Sequence, residues 1–412
     1  MRFLRLTTNY PDYLERFYTS RAGLETQPYV VQYQALMADG FHWCDALPKP
    51  LTELGYEVNQ IIANAEPMQK QWARENGVEY TRENWLLDIA AAQVHAFNPE
   101  ILFVYDYTTF TARFLRRLKA ENPSVRLTLG WCGAPYNDPA VFREYDVVLS
   151  CIPELVEHFR ADGHRAEHVN HAFNPQVLER IDTAVAPHVD FSFSGQIVMD
   201  NQFHRRREEL LRELAANTAL QLWSEFRRPT LNTRFRTGLR KAAYDGVQVA
   251  RRAGVSQDVL RKIPVIKKIA GWQARPTISW EVAPAIRRRA RKPVFGLTMF
   301  QLLHDSRITL NSHIDISPRS ASNMRLYEAT GVGTCLLTDW KENLSDLFEP
   351  EREVVTYKNA DEAIEKVRYL LDHEPERTAI AAAGQRRTLR DHTANQRAGA
   401  FAEIIRRELK KS

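Results

Sequence analysis

The sequence predicts an α/β protein made of two doubly wound halves. Three observations lead there. At 412 residues the chain has room for two full cores, taking roughly 150 residues for each. Residues 2–170 alternate short apolar runs with helical stretches of ten or more residues, the pattern of parallel strands joined by crossover helices. After a linker at 183–188 the same strand, helix, strand alternation starts again. Composition agrees with a globular chain, at 44% hydrophobic and 26% charged residues.

In the first half (1–187) the strand candidates are 2–6, 57–62, 101–105, 126–130, 146–151 and 166–170, with helices at 85–97 and 110–121. Ligands of such sheets bind beyond the carboxyl ends of the strands. The loop tips that matter are therefore 7–12, 106–109, 131–137 and 171–174. Asp106 and His171 stand just past strand ends and are candidates for a base that activates an acceptor; helix caps or packing partners are the bland alternative. Residues 7–10 hold no glycine, which excludes a dinucleotide fingerprint after the first strand and weighs against an NAD-dependent dehydrogenase.

The second half (188–394) opens with a strand from Asp190 whose tip is Ser194-Gly195-Gln196, where Gly195 lets backbone approach a ligand closely. A helix at 205–214 and a strand at 220–223 follow. Residues 227–292 then interrupt the unit with eighteen Lys or Arg against three Asp or Glu, so the net charge of +5 is a local property. Helical stretches at 239–253 and 258–270, followed by Trp272 and Trp280, make this segment a basic, largely helical insertion. Three readings compete for it: a peripheral arm on anionic lipid or a phosphorylated lipid-linked acceptor, a solvated or dimer-forming insertion, and a nucleic-acid surface, the last without any recognised module.

The core resumes after Pro293 with a helix at 299–304 and a strand at 308–310. A polar loop at 311–323 leads into a helix at 324–329, then Gly331, Gly333 and a strand at 334–337. Elements at 343–348, 353–357, 361–373 and 378–389 follow, and a final helix at 395–409 gathers Phe401, Ile404 and Ile405 on one face. A loop that ends at a helix start can hold a diphosphate on its N–H groups and helix dipole. Ser320, Ser322, Asn323 and Arg325 are the candidates for that role. Glu328, one turn further in, could accept hydrogen bonds from the two hydroxyls of a ribose; a surface pair with Arg325 at i−3 is the alternative. His313 and Asp315 flank the same crevice as candidate catalytic groups.

Absences narrow the chemistry. Cys44, Cys132, Cys151 and Cys335 have neither disulfide-framework nor zinc spacing, which suits a reducing compartment. No Asp-x-Asp, Gly-x-Ser-x-Gly or phosphate-loop Gly-Lys-Ser/Thr occurs, so no metal is expected and basic side chains must neutralise a leaving diphosphate. No apolar signal core or run of about twenty apolar residues is present, so a cytoplasmic protein is expected.

Glu328-Ala329, with Gly333 and Cys335-Leu336-Leu337, resembles the nucleotide-binding signature of GT-B-fold glycosyltransferases, in the CgeB or spore-maturation-like branch. The larger retaining families of that fold carry two glutamates eight residues apart. Here Ser320 stands eight residues before Glu328, and aligning the strand at 308–310 puts Asp315 in the first glutamate's place. The branch is also similar at His42-Trp43, Leu51, Leu54-Gly55-Tyr56, Asn64, Gln69 and Trp72, and at 294–298, which adds Gly296 to the donor-binding set with Gly195. The resemblance implies two Rossmann-like domains, a final helix (395–412) crossing back to the first, and a ribose-binding Glu328. It implies a retaining hexosyltransferase without cofactor, acting on a nucleotide-sugar donor and a glycan, lipid-linked or protein acceptor in polysaccharide biosynthesis. A bacterial cytoplasmic enzyme touching the inner membrane face through 227–292, homodimeric or not and without nucleic acid, is the matching picture. Two alternatives remain: a sugar-nucleotide epimerase of the same fold, and a non-catalytic binding protein that works through its basic arm.

Overall fold

The computed structural model describes residues 1–41, 46–136, 138–197, 204–224, 231–253 and 282–411. They form two six-stranded sheets in which every pairing is parallel. The first contains β1 (Arg2–Thr7), β2 (Glu57–Ile62), β3 (Ile101–Val104), β4 (Leu127–Trp131), β5 (Val147–Ser150) and β6 (Ala166–His168), in the order β2-β1-β3-β4-β5-β6. The second contains β7 (Val189–Ser194), β8 (Gln221–Trp223), β9 (Ala290–Arg291), β10 (Ser306–Asn311), β11 (Cys335–Asp339) and β12 (Val355–Tyr357), in the order β12-β11-β10-β7-β8-β9. The chain turns back across each sheet once, between β1 and β3 and between β7 and β10. Those two reversals open the crevices where such sheets take ligands.

The strands form where the sequence offers short apolar runs able to lie buried on both faces. All four residues of β3 are fully buried. Helices of the first half are α1 (Pro11–Thr19), α2 (Tyr29–Ala38), α3 (Pro48–Glu53), α4 (Glu66–Glu75), α5 (Trp85–Phe97), α6 (Ala112–Glu121) and α7 (Pro153–Ala161). Those of the second are α8 (Arg205–Asn217), α9 (Leu231–Arg252), α10 (Pro284–Arg289), α11 (Gly296–His304), α12 (Arg325–Gly331), α13 (Leu344–Leu347), α14 (Ala360–Asp372) and α15 (Glu374–Asp391), before a last helix α16 (Ala394–Leu409).

This is the predicted fold class, with local differences. Residues 7–12 are not wholly loop, because Pro11 sets the first turn of α1. The helix expected at 239–253 starts earlier, at Leu231. The helix expected at 258–270, together with His42, Trp43, Cys44, Trp272 and Trp280, lies outside the described residues.

The halves are interlocked by exchange. Ala398, Phe401, Ile404 and Ile405 of α16 belong to the first half's core, with the Phe401 ring 5.2 Å from that of Phe103. Conversely Phe173, Val177 and Ile181, which precede Pro187, pack with Phe300, Leu303 and Tyr327 in the second half. The two crossings are zipped side by side: Phe173 N–H donates to the His392 carbonyl and Ala394 N–H to the Phe173 carbonyl, both at 2.9 Å. Gly331 ends α12 against the Phe173 ring, where a Cβ would sit 2.4 Å from ring atoms.

Candidate functional site

The segment that follows β10 enters the second sheet's crevice and is fastened along its length. The His313 backbone N–H donates to Asp339 Oδ1 at 3.1 Å, and its ring Nδ1 lies 2.7 Å from the same oxygen. Its Nε2 accepts from the Ser322 backbone N–H at 3.0 Å. With Nε2 accepting, it is Nδ1 that carries a proton toward the carboxylate. Lys341 Nζ donates to the Ser317 and Pro318 carbonyls and lies 3.3 Å from Asp339 Oδ2. Burial pulls the Asp339 pKa upward, but His313 and Lys341 outweigh it and hold the carboxyl well below its usual range. Ser317 Oγ donates to the Ser320 carbonyl at 2.5 Å, and Ala321 N–H to Asn343 Oδ1 at 2.6 Å. Both ring nitrogens of His313 are thus spent on holding the loop, and neither is left to donate to a ligand.

Beyond the loop, α12 brings Arg325 and Glu328 to the same crevice. Arg325 Nη1 lies 3.1 Å from Glu328 Oε2, and Nη2 donates to the Ser194 carbonyl at the end of β7. Glu328 is only 8% exposed, and burial, partly offset by Arg325, raises its pKa. Tyr10, on the loop after β1, has its own pKa raised by burial first and then by the Glu328 carboxylate, so Glu328 lies in electrostatic reach of the first half. Asn323 Nδ2 donates to Asn311 Oδ1 at 2.6 Å, while Asn323 Oδ1 is buried without a hydrogen-bond partner among the described residues.

Arg207, on the first turn of α8, completes the group. Its guanidinium donates to the Ser312 carbonyl and, at 3.2 Å, to that of Gln196, and its Nε is buried with no partner among the described residues. Burial lowers its pKa while Asp339, Tyr357 and Asp315 work to raise it, so these groups surround one spot. Asp315 itself stands 3.8 Å from exposed Arg206. Gly195 follows β7 directly, its α-carbon close against the Phe193 ring.

Other sequence candidates lie elsewhere. Gly296 has φ +54 and would place a Cβ 2.2 Å from Asp39 Oδ2, while the next N–H, Leu297, donates to the Asp39 carbonyl at 2.8 Å. It is a contact between the halves and not a ligand loop. Asp106 accepts from Thr8 Oγ1, Thr108 N–H, Thr108 Oγ1 and Thr109 N–H; these bonds overcome burial and lower its pKa, so it serves as a turn cap and a weak base. His171 is buried at the crossing, its ring 5.3 Å from Trp131 and its carbonyl accepting from Arg397 Nε. The structure therefore gathers Ser320, Ser322, Asn323, Arg325, Glu328, His313, Asp315 and Gly195 around one crevice, and leaves Gly296 and Asp106 in structural contacts. Arg207, Asp339, Lys341 and Tyr10 belong to the crevice and were not singled out from the sequence. Among the described residues no three His, Cys, Asp or Glu side chains group as a metal site, and no helix is long and apolar enough to cross a membrane.

Residues 205–403, which include the second-half crevice apart from Ser194, Gly195 and Gln196, match the family model described as glycosyl transferase-like. The whole chain is similar in fold to sucrose-phosphate synthase from Thermosynechococcus elongatus, at TM-score 0.54 and 10% identity over 100% of both chains. It is similar to a glycosyltransferase from Rickettsia africae, at 0.53 and 10% over 100% of both. A third similar structure is Anabaena Alr3699/HepE in complex with UDP-glucose, at 0.53 and 11%, covering 98% of this chain and 99% of that one. The two-domain arrangement is that of GT-B glycosyltransferases. A search of curated proteins finds no match.

Proposed function

We propose that this protein is a glycosyltransferase that takes a nucleotide-diphosphate sugar in the second sheet's crevice and passes the sugar to an acceptor held by the first half. The observation that carries the reading is the buried Arg325–Glu328 pair beside Arg207, at the point where the strand order reverses between β7 and β10. A nucleotide there meets a carboxylate and two guanidiniums. Glu328, as an acceptor-only group, takes the ribose hydroxyls. Arg207 and Arg325 offer planar donors to the diphosphate, and Arg207 Nε and Asn323 Oδ1 are buried without partners among the described residues. Positive charge fixed in place before reaction stabilises the diphosphate as the glycosidic bond to it breaks, so the mechanism needs no metal.

The finer reading extends the resemblance. The transfer is of a hexosyl unit with retention, by an enzyme of the CgeB-like branch, in the cytoplasm, onto a glycan, lipid-linked or protein acceptor. Asp315, beside the crevice, is then placed to offset positive charge at the reacting carbon. His313 keeps the loop in shape and takes no part in proton transfer. The complex of Alr3699/HepE with UDP-glucose supports a nucleotide-sugar donor for this fold.

The test is a thermal-shift panel of nucleoside diphosphates and their sugars, followed by an assay for released diphosphate. A ligand at a hundred times its Kd stabilises by about 2.7 kcal/mol, a shift of several degrees. A shift with UDP, GDP or another nucleoside diphosphate, and slow donor hydrolysis without acceptor, is the expected result. A full panel without any shift overturns the proposal. Interconversion of the donor sugar without release of diphosphate would favour the epimerase instead.

A further inference from the structure

The helix α9 turns an apolar stripe away from the other described residues. Phe235, Leu239 and Val249 are 67%, 55% and 64% exposed. Ala242 and Gly246 are exposed too, and a Cβ at Gly246 would meet nothing within 4 Å. At 100° per residue, positions 235, 239, 242, 246 and 249 fall within a sector of about 80°, so they form one face about 21 Å long. Val247, about 120° round from the centre of the stripe, is buried and marks the side that packs on the protein.

The charges say what the free face fits. α9 has six Lys or Arg and a single acid, Asp245. Arg236 and Lys241 lie about 100° and 120° to either side of the centre of the stripe and Arg240 about 140° round, all three off the stripe; Arg236 and Arg240 are exposed and Lys241 half-exposed. An apolar centre bordered by long basic side chains is the arrangement of a helix lying in a bilayer interface, with rings and aliphatic groups among the acyl chains and cations at anionic headgroups. A nucleic acid would need the charge at the centre of the face. A second copy would set one basic helix against another.

We infer that the exposed face of α9 docks this protein on an anionic lipid surface, Phe235, Leu239 and Val249 inserting while Arg236, Arg240 and Lys241 pair with headgroups. This holds whether or not the crevice transfers a sugar; if it does, the docking puts the enzyme beside a lipid-borne acceptor.

The experiment is sedimentation of the full chain with phosphatidylcholine vesicles, with and without phosphatidylglycerol, at low and high salt. The expected result is partition onto the anionic vesicles alone, weakening as salt rises. Phe235→Ser with Leu239→Ser and Val249→Ser should lower partition at least about tenfold, and Arg236→Glu with Arg240→Glu should remove the preference for anionic lipid. Both variants are to keep the wild-type unfolding temperature; in parallel, vesicle-induced protection of 235–249 from hydrogen exchange gives the answer on the unsubstituted protein. No partition of the wild type, or partition unchanged in the serine variant, overturns the inference. So does a dimer that the serine variant splits, or RNA binding that the glutamate variant abolishes, where vesicles are not bound. Nucleotide thermal shifts are read separately, so failure here and failure of the donor site are distinguishable.

Discussion

Replacing Asp339 by Asn isolates the fastening of the crevice loop. Asparagine keeps the shape and one carbonyl oxygen but removes the charge that faces both His313 and Lys341. The ring bond at 2.7 Å falls from charge-assisted to neutral, a loss of about 1 kcal/mol. Lys341, whose side chain is 11% exposed, loses its counter-ion at 3.3 Å, which costs about another 1 kcal/mol. Together these make about 2 kcal/mol, or about 4–8 °C in Tm if the second half unfolds as one unit. The pH dependence has a definite sign. The folded-state pKa of Asp339 is depressed, so its contribution is complete above the unfolded value near 3.8 and is lost as pH falls below it. Thermal unfolding of wild type and variant should therefore differ by the full amount at pH 7, and the gap should begin to narrow only below about pH 4, closing as pH falls on through the depressed folded-state value. A variant that melts with the wild type at neutral pH, or a gap that does not narrow as pH falls below about 4, would refute the reasoning. Nucleotide affinity gives a second reading, since a loosened loop should weaken binding as well as stability.

Glu328→Gln should weaken nucleoside diphosphate binding by about 10- to 100-fold, the value of losing charge-assisted bonds to a ribose, with little change in unfolding; calorimetric titration measures it, and unchanged affinity removes Glu328 from the site. Glu328→Ala should in addition lower the Tm, because Arg325, 14% exposed, is left without the acceptor oxygen that a glutamine still offers it. Gly296→Ala forces both a left-handed backbone onto alanine and a Cβ into Asp39, so a loss of about 1–3 kcal/mol in denaturant unfolding is expected. Phe401→Ala should cost about 3–5 kcal/mol, read as an earlier urea midpoint of the first half, although the residue belongs to the last helix of the chain.

How much of this was legible beforehand follows from physical kind. Strands buried on both faces read as contiguous apolar runs, and so 57–62 and 101–105 fall almost residue for residue on β2 and β3. The helix at 85–97 is apolar and bounded by turn residues, and α5 has those very limits. What failed was local chemistry overridden by tertiary need. β10 runs on past its apolar centre to Asn311, because the carbonyl and side chain of that residue serve Tyr357, Thr338 and Asn323. Gly296 looked like a ligand glycine, but its conformational freedom is spent on the approach of Asp39.

The site was legible where its logic is local and hidden where it is not. Glu328 follows from its spacing within one helix. The partner of His313 does not, yet sheet register contains it: β10 and β11 are parallel neighbours with Asn311 opposite Thr338, so residues just past the two strand ends must meet. A histidine on one and an aspartate on the other, in a sheet already predicted parallel, point to a fastener and away from a free acid–base group. Arg207 had a signal of a different sort. Three consecutive arginines, Arg205 to Arg207, open α8, where the helix dipole disfavours cations by some tenths of a kcal/mol each. A feature that costs stability in its own helix needs its return elsewhere. The bonds from Arg207 to the Ser312 and Gln196 carbonyls at the mouth of the crevice, with one N–H unclaimed among the described residues, are where that return is found.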